Sequence, residues 1–387
     1  MSSGTREGRA QTAAPWPQLP EAARQVLLEV LVHGPISRAE IAARLQVSRP
    51  TLSRITRQLF DDGLLAEGGT QLRSTTGRPS ELLHVNGAAR HFFGVKLTGD
   101  HLYAVVTDLN AEVVASVNTP LRSADVTEVV GQIAEVASAL RTTFPDLTAA
   151  GVTLAGTVRA GSVHGSAYLH WSNVPLADLV AEATGLPTAV DNDVQALTAA
   201  EHWFGAGAGL RALVLVTIGV GIGCGLVLNG ELVEGAHGTA GRAAHLVVDQ
   251  SGPVCDLGHR GCAASYLLNE SIVRALGAAD YADAVAQARA GEPAARRVFG
   301  DAGFALGIII GTVANLVDPQ KVVPTGDGLP LYEVAADRVR EGIEKSYEPD
   351  PAQLDLDVQA FDFGEWARSG AALAIRAALT GRTVTAG

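Results

Sequence analysis

The sequence predicts an α/β protein in two parts, a small winged helix-turn-helix head and a larger body of two related α/β lobes. Two helix starts with capping signals lie close together, at Ser37 and Ser48, ahead of a glycine-rich hairpin. Period-two alternation takes over from His91. A three-strand opening near residue 92 then recurs near residue 211.

At 387 residues the chain exceeds one ordinary domain, and 47% hydrophobic with 18% charged residues suits lobes with sizeable cores. No apolar run approaches the roughly 20 residues of a membrane helix, so no membrane partner is expected. Residues 1–19, rich in Ser, Gly, Ala, Gln and Pro without an apolar signal core, read as a disordered leader. The head is expected over residues 20–86 and the body over 87–387. Three cysteines, Cys224, Cys255 and Cys262, make no disulfide framework for a chain this long, which implies a cytoplasmic protein.

The net charge of −12 is unevenly spread. Residues 1–90 hold 11 Arg and 8 acids, whereas the rest hold 18 Lys or Arg against 33 acids. Between residues 36 and 60 stand Arg38, Arg44, Arg49, Arg54 and Arg57 with a single acid, Glu40. A basic front on an acidic body suggests that one end meets a polyanion.

Within that front, Glu21–Val32 reads as a first helix, ended by Gly34-Pro35. Ser37 and Glu40 form a capping box for a second helix through Ile41 and Leu45. Ser48 caps a third, with Pro50 in its first turn. Leu52, Ile55 and Leu59 fall inward at spacings of 3 and 4, which turns Thr51, Arg54, Arg57 and Gln58 outward. Short hydrogen-bonding side chains and arginines on one helix face suit base edges and phosphates in a major groove. Ser48, Arg49, Thr51, Arg54 and Arg57 are therefore the candidate DNA contacts. In the hairpin, Arg78 between Gly77 and Pro79 is a candidate for an adjacent minor groove. For any one arginine a phosphate contact or a solvated charge is the simpler role.

The body opens with strands Phe92–Leu97, Leu102–Asp108 and Glu112–Thr119, then a helix Val126–Leu140, a strand Ala150–Leu154 and a helix Leu176–Thr184. Ala212–Thr217, Gly223–Leu228 and Glu231–Val233 repeat the opening. A meander followed by alternating helices and strands, occurring twice, is the organisation of the actin/sugar-kinase-like (ribonuclease H-like) folds.

Several motifs in the body carry a family resemblance. Thr217 to Gly225 holds Gly219, Gly221, Gly223 and Gly225. Gly235-Ala236-His237-Gly238-Thr239-Ala240-Gly241 follows, then Cys255 and Gly258-His259-Arg260-Gly261-Cys262. Together with Asp191-Asn192-Asp193 and Glu201, these resemble the ROK family of repressors and sugar kinases. With the winged head, the chain is similar to the family's xylose and N-acetylglucosamine repressors. The resemblance implies a double-stranded DNA operator, a small carbohydrate-like ligand and a homodimer or homotetramer. It implies sugar contacts from Asn192, Asp193 and His245, and a zinc site of one His and three Cys.

The departures from the pattern are informative. At the phosphate turn of the family's kinases, Lys96 stands for an Asp and Asp100 for a Thr. An acid facing a triphosphate is unfavourable, so no ATP and no kinase activity are expected. Arg242 replaces an acid of the sugar site, and Ala264 replaces another. Arg242 either turns the pocket toward a phosphate or carboxylate, or faces outward or pairs with an acid over a pocket that binds nothing. In that second case a protein partner would control the regulator, and a kinase with a DNA-binding head is the remaining alternative. Of the zinc ligands His245, Cys255 and Cys262 remain, while Leu257 stands where the fourth would be. His259 and Asp256 are the nearest substitutes. Cys224, in a glycine-rich strand, reads as core.

Overall fold

The computed structural model describes residues 16–71 and 80–381. The chain divides into two compact units. The first contains Met1–Leu154, Ala160–Val190 and Gly370–Gly387, and the second Ala155–Arg159 with Asp191–Ser369.

The first unit begins with α1 (Glu21–His33), β1 (Ile36–Ser37), α2 (Arg38–Arg44), α3 (Arg49–Asp61), β2 (Leu65–Gln71) and β3 (Ser80–Val85). Both expected caps form. Ser37 and Glu40 make a reciprocal capping box, and the Ser48 side chain accepts from Thr51 N. Leu52, Ile55 and Leu59 are buried, as their spacing predicts. The sequence pattern did not show β1, whose two residues pair with β3 to give a sheet ordered β1-β3-β2. The expected leader is shortened by the fold. Leu19 is buried and the Trp16 ring meets Phe92 edge-on, while residues 1–15 lie outside the described ones.

The lobe of this unit contains β4 (His91–Leu97), β5 (His101–Thr107), β6 (Val113–Pro120), α4 (Val126–Arg141) and β7 (Leu147–Leu154). The chain then runs through β8 (Thr157–Arg159), β9 (Ser162–Gly165), α5 (Leu176–Thr184) and β10 (Thr188–Asn192). The sheet order is β10-β7-β4-β5-β6, with β4 antiparallel to β5 and parallel to β7.

The second unit holds α6 (Asp193–Phe204), β11 (Leu213–Thr217), β12 (Gly223–Leu228), β13 (Glu231–Leu232), α7 (Ala263–Leu267), α8 (Asn269–Leu276), α9 (Tyr281–Ala290), α10 (Pro293–Val317), β14 (Lys321–Thr325), α11 (Pro330–Ser346) and the start of α12 (Phe363–Thr380). Its sheet, β13-β12-β11-β14, repeats the plan of the first, with β11 antiparallel to β12 and parallel to β14. Beyond β14 the segment around Leu356 adds a parallel bridge to Val322, in the place that β10 holds in the first lobe. The repeated opening read from the sequence is thus two copies of one sheet plan.

By length and composition α10 would cross a membrane, an exception to the expectation that no such apolar stretch exists. Its apolar side is instead the core of the second unit, with Phe299, Leu306, Ile309 and Ile310 buried against strands and helices. Gly307 lets α11 approach closely, because a Cβ there would lie 2.1 Å from the Val339 carbonyl oxygen. Gly307→Val should therefore lower unfolding stability by about 3 kcal/mol, the upper end of ordinary overpacking, because backbone rather than a flexible side chain must move. Urea denaturation followed by circular dichroism measures the shift.

Candidate functional site

Five arginines stand between residues 36 and 60, and the structure sorts them into two groups. Arg38 pairs with Glu67 and Glu81 on the two wing strands and lies over the Phe60 ring. Arg44 lies 3.8 Å from Glu29. Arg49, Arg54 and Arg57 are exposed on α3 and have no ion pair among the described residues. Ser48 is exposed beside them, and its hydroxyl lies 2.8 Å from that of half-buried Thr51. Four of these candidates thus lie on one solvent-facing surface, with Thr51 at its edge. Arg78 lies outside the described residues.

At the turn after β4, Lys96 is buried. Thr98 Oγ1 donates to Asp100 Oδ1 at 2.9 Å, and the His101 ring lies 3.1 Å from the same carboxylate. These contacts, the Thr98 bond foremost, hold the Asp100 carboxyl below the usual range. The turn therefore presents a fixed negative charge where the kinase pattern presents a hydroxyl.

The ligand candidates lie in the second unit, around residues 156 and 157. Asn192 caps α6, accepting from Val194 N and Gln195 N, and donates from Nδ2 to the Gly156 carbonyl at 2.9 Å. The next residue, Thr157, accepts from Arg242 Nη2 at 2.8 Å. One short segment thus ties Asn192 and Arg242 together. Arg242 has no carboxylate partner among the described residues, so its pairing with an acid is ruled out there and most of its donors stay open. Asp193 is buried at the first position of α6. The sequence gave no sign of Gln195, whose Oε1 is buried without a partner among the described residues. That oxygen is a spare acceptor on the same turn of α6 as Asp193.

His245 belongs to a different grouping. Its Nδ1 lies 3.8 Å from the Cys255 sulfur and 3.6 Å from that of Cys262. The His259 ring stands edge-on to it at 4.6 Å, and one donor atom from each of the four residues falls within 4.8 Å of the others. Residues 255–259 turn tightly, with Cys255 N donating to His259 O and Gly258 N to Cys255 O. That turn brings His259 in and leaves Leu257 70% exposed. Two sulfurs and two imidazole nitrogens are a zinc donor set, and a tetrahedral zinc separates sulfur from nitrogen by about 3.6 Å.

The titration of the group is mixed, with a neutral imidazole and one lowered thiol favouring metal binding and one raised thiol opposing it. Partial desolvation and then the neighbouring His259 lower the His245 pKa. Burial raises Cys262. Cys255 goes below its ordinary value although burial opposes this, because the Leu257 and His259 amides donate to its sulfur. Cys224 lies apart in the core, its thiol pushed up to about 12 by burial.

A winged head with unpaired arginines on its third helix, joined to two lobes of one sheet plan, defines a DNA-binding head on a sugar-kinase-like body. The ROK family model matches residues 92–375 and the MarR family model residues 21–66. The chain belongs to the ROK family and carries a MarR-type helix-turn-helix in front. It is 30% identical over 315 residues to the DNA-binding transcriptional dual regulator NagC of Escherichia coli strain K12, covering 76% of this chain and 77% of that one. It is 24% identical over 354 residues to the xylose repressor of Bacillus subtilis strain 168, covering 87% and 91%. Among curated relatives the share of the relative's own length that is matched runs from 64% to 91%. A solved ROK family transcriptional regulator, described as a homologue of the E. coli MLC protein, superimposes with a TM-score of 0.79 at 26% identity, over 94% of this chain and 98% of that one.

The capping role of Asn192 separates it from Arg242. Asn192→Ala should cost about 1–2 kcal/mol of stability through the lost cap, whereas Arg242→Ala at an exposed position should stay within about 0.5 kcal/mol. Paired urea titrations of the two variants check the order.

Proposed function

We propose that this chain is a DNA-binding transcriptional repressor whose grip on its operator is set by a carbohydrate-like ligand, and that it transfers no phosphoryl group. The observation that carries this is the exposed face of α3, where Ser48, Arg49, Arg54 and Arg57 stand beside Thr51 and, among the described residues, no carboxylate pairs with the arginines. One recognition helix reads about half of a palindromic site, so the working form is a homodimer or homotetramer in the cytoplasm. Relatives named as regulators of N-acetylglucosamine and xylose genes support the reading, as does the charged Asp100 at the phosphate turn.

The ligand site comprises Asn192, Asp193, Arg242 and His245, with Gln195 added. Buried acceptors suit sugar hydroxyls, and the unpaired guanidinium of Arg242 favours a sugar acid or sugar phosphate over a neutral sugar. The expected DNA behaviour is direct. Arg54→Ala and Arg57→Ala each weaken binding to an operator selected from a random duplex pool, and each flattens the log–log salt dependence by about one unit where a phosphate contact is lost. Fluorescence anisotropy across a salt series reads both effects, with xylose, N-acetylglucosamine and their phosphates added in parallel. Parent-like binding by both variants would remove α3 from the interface. If none of these sugars changes DNA binding, control passes to a protein partner.

His245, Cys255, His259 and Cys262 hold one zinc ion, which would pin the loop between Val247 and Cys262. Metal analysis of protein purified without chelator should find about one equivalent. Cys262→Ala should lose it, and His259→Ala should retain it more weakly. Zinc should be released as pH falls, because thiolates and neutral imidazoles are the ligands and protons compete for them. Parent-like retention in His259→Ala would show that another group completes the site.

A further inference from the structure

The glycine run after β11 closes on a carboxylate supplied by the protein itself. Thr217 and Gly223 face each other across antiparallel β11 and β12, which makes Ile218–Ile222 a short loop with Val220 and Gly221 exposed at its tip. Loops of this composition offer backbone amides with little side chain around them, a recurrent way of holding an anion. In this loop both carboxylate oxygens of Asp327 lie 3.3 Å from Val220 N.

The second strand pairing places Asp327 there. β14 runs parallel to β11 with Thr325 opposite Thr217, so Gly326-Asp327-Gly328 leaves the sheet beside the glycine run. Gly328 N donates to Ile218 O at 2.9 Å. Asn269, the first residue of α8, donates its side-chain amide to Asp327 at 2.8 Å and its backbone N–H to Gly219 O at 3.0 Å. The fit is tight, because a Cβ on Gly219 would lie 1.9 Å from Asp327 Oδ1. Gly326, at φ +115, takes a conformation that side chains disfavour, and a Cβ there would lie 2.2 Å from Ile218 O.

We propose that Asp327 is a built-in anion that occupies the glycine-rich loop and excludes polyphosphate from it. An incoming phosphate meets a donor already used and a fixed negative charge at contact range. This exclusion lies wholly within the second unit, separate from Lys96 and Asp100. It rests on the loop geometry alone and holds whether or not the head binds DNA.

Calorimetric titration of the full chain with ATP, and separately with inorganic tripolyphosphate, tests the idea at physiological ionic strength, where attraction to the exposed arginines of α3 is screened. The parent should show no saturable binding at millimolar probe. Asp327→Gly should gain saturable binding of both probes, at least ten-fold tighter than the limit set by the parent. Asp327→Asn keeps the side chain's shape without its charge, and should gain a smaller affinity. It decides the matter if thermal melting shows that the glycine variant is unfolded. A gain for ATP alone still supports the plug and adds a contribution from the base. Saturable binding of either probe by the parent, or no gain in a folded variant, overturns the proposal.

Discussion

The parallel pairing of β11 with β14 is the contact on which the geometry of the body depends. Register partners Thr217 and Thr325 end both strands at one edge, so the turns that follow them emerge side by side. A parallel pair cannot be closed by a hairpin and needs a long crossover. Here the crossover contains the loop of Cys255 and Cys262 and the helices from α7 to α10. The first lobe obeys the same rule. β4 runs parallel to β7 through Leu97 and Leu154, so the Asp100 turn stands at the carboxyl end of that sheet.

Around these edges the chain has traded chemistry for charge. A nucleotide site needs open amides for its phosphates, and here a carboxylate occupies each glycine-bearing turn. Asp100 is held ionised by Thr98 and His101, and Asp327 is held by Val220 and Asn269. The segment around Gly156 and Thr157 brings buried acceptors together with a cation, Arg242, bonded to a hydroxyl and to no carboxylate among the described residues. A guanidinium left mostly unsatisfied at the surface remains available to an anionic ligand.

The head shows a similar economy of charge. Arg38 and Arg44 spend their guanidinium groups inside the fold, joining α2 to the wing and to α1. The arginines of α3 have no such partners, so the electrostatic attraction of the head for a polyanion concentrates on one face. The loop around Cys255 and Cys262 gathers its side chains by a turn of the backbone. The 255–259 turn faces His259 toward the sulfurs, while Leu257 projects into solvent.

The sequence alone determined what depends on near neighbours. Ser37 with Glu40 and Ser48 with Thr51 act across three residues, so both helix starts were legible. Alternation marked β4, β5, β6 and β11 to within about a residue, because side-chain period follows directly from strand geometry. The recurring three-strand opening showed the repeated fold, and the family motifs located Asn192, Asp193 and the cysteines. Tertiary structure decided whatever depends on residues far apart in the chain. β1 exists only because Ile36 meets Leu83, and residue 356 joins a sheet only through Val322. Which arginines stay unpaired, which histidine reaches the thiols and which carboxylate fills the glycine loop were likewise settled by folding. Each depends on a partner or a turn that composition and spacing do not encode, and a charged or ligating side chain acquires its role only when the fold fixes its neighbours.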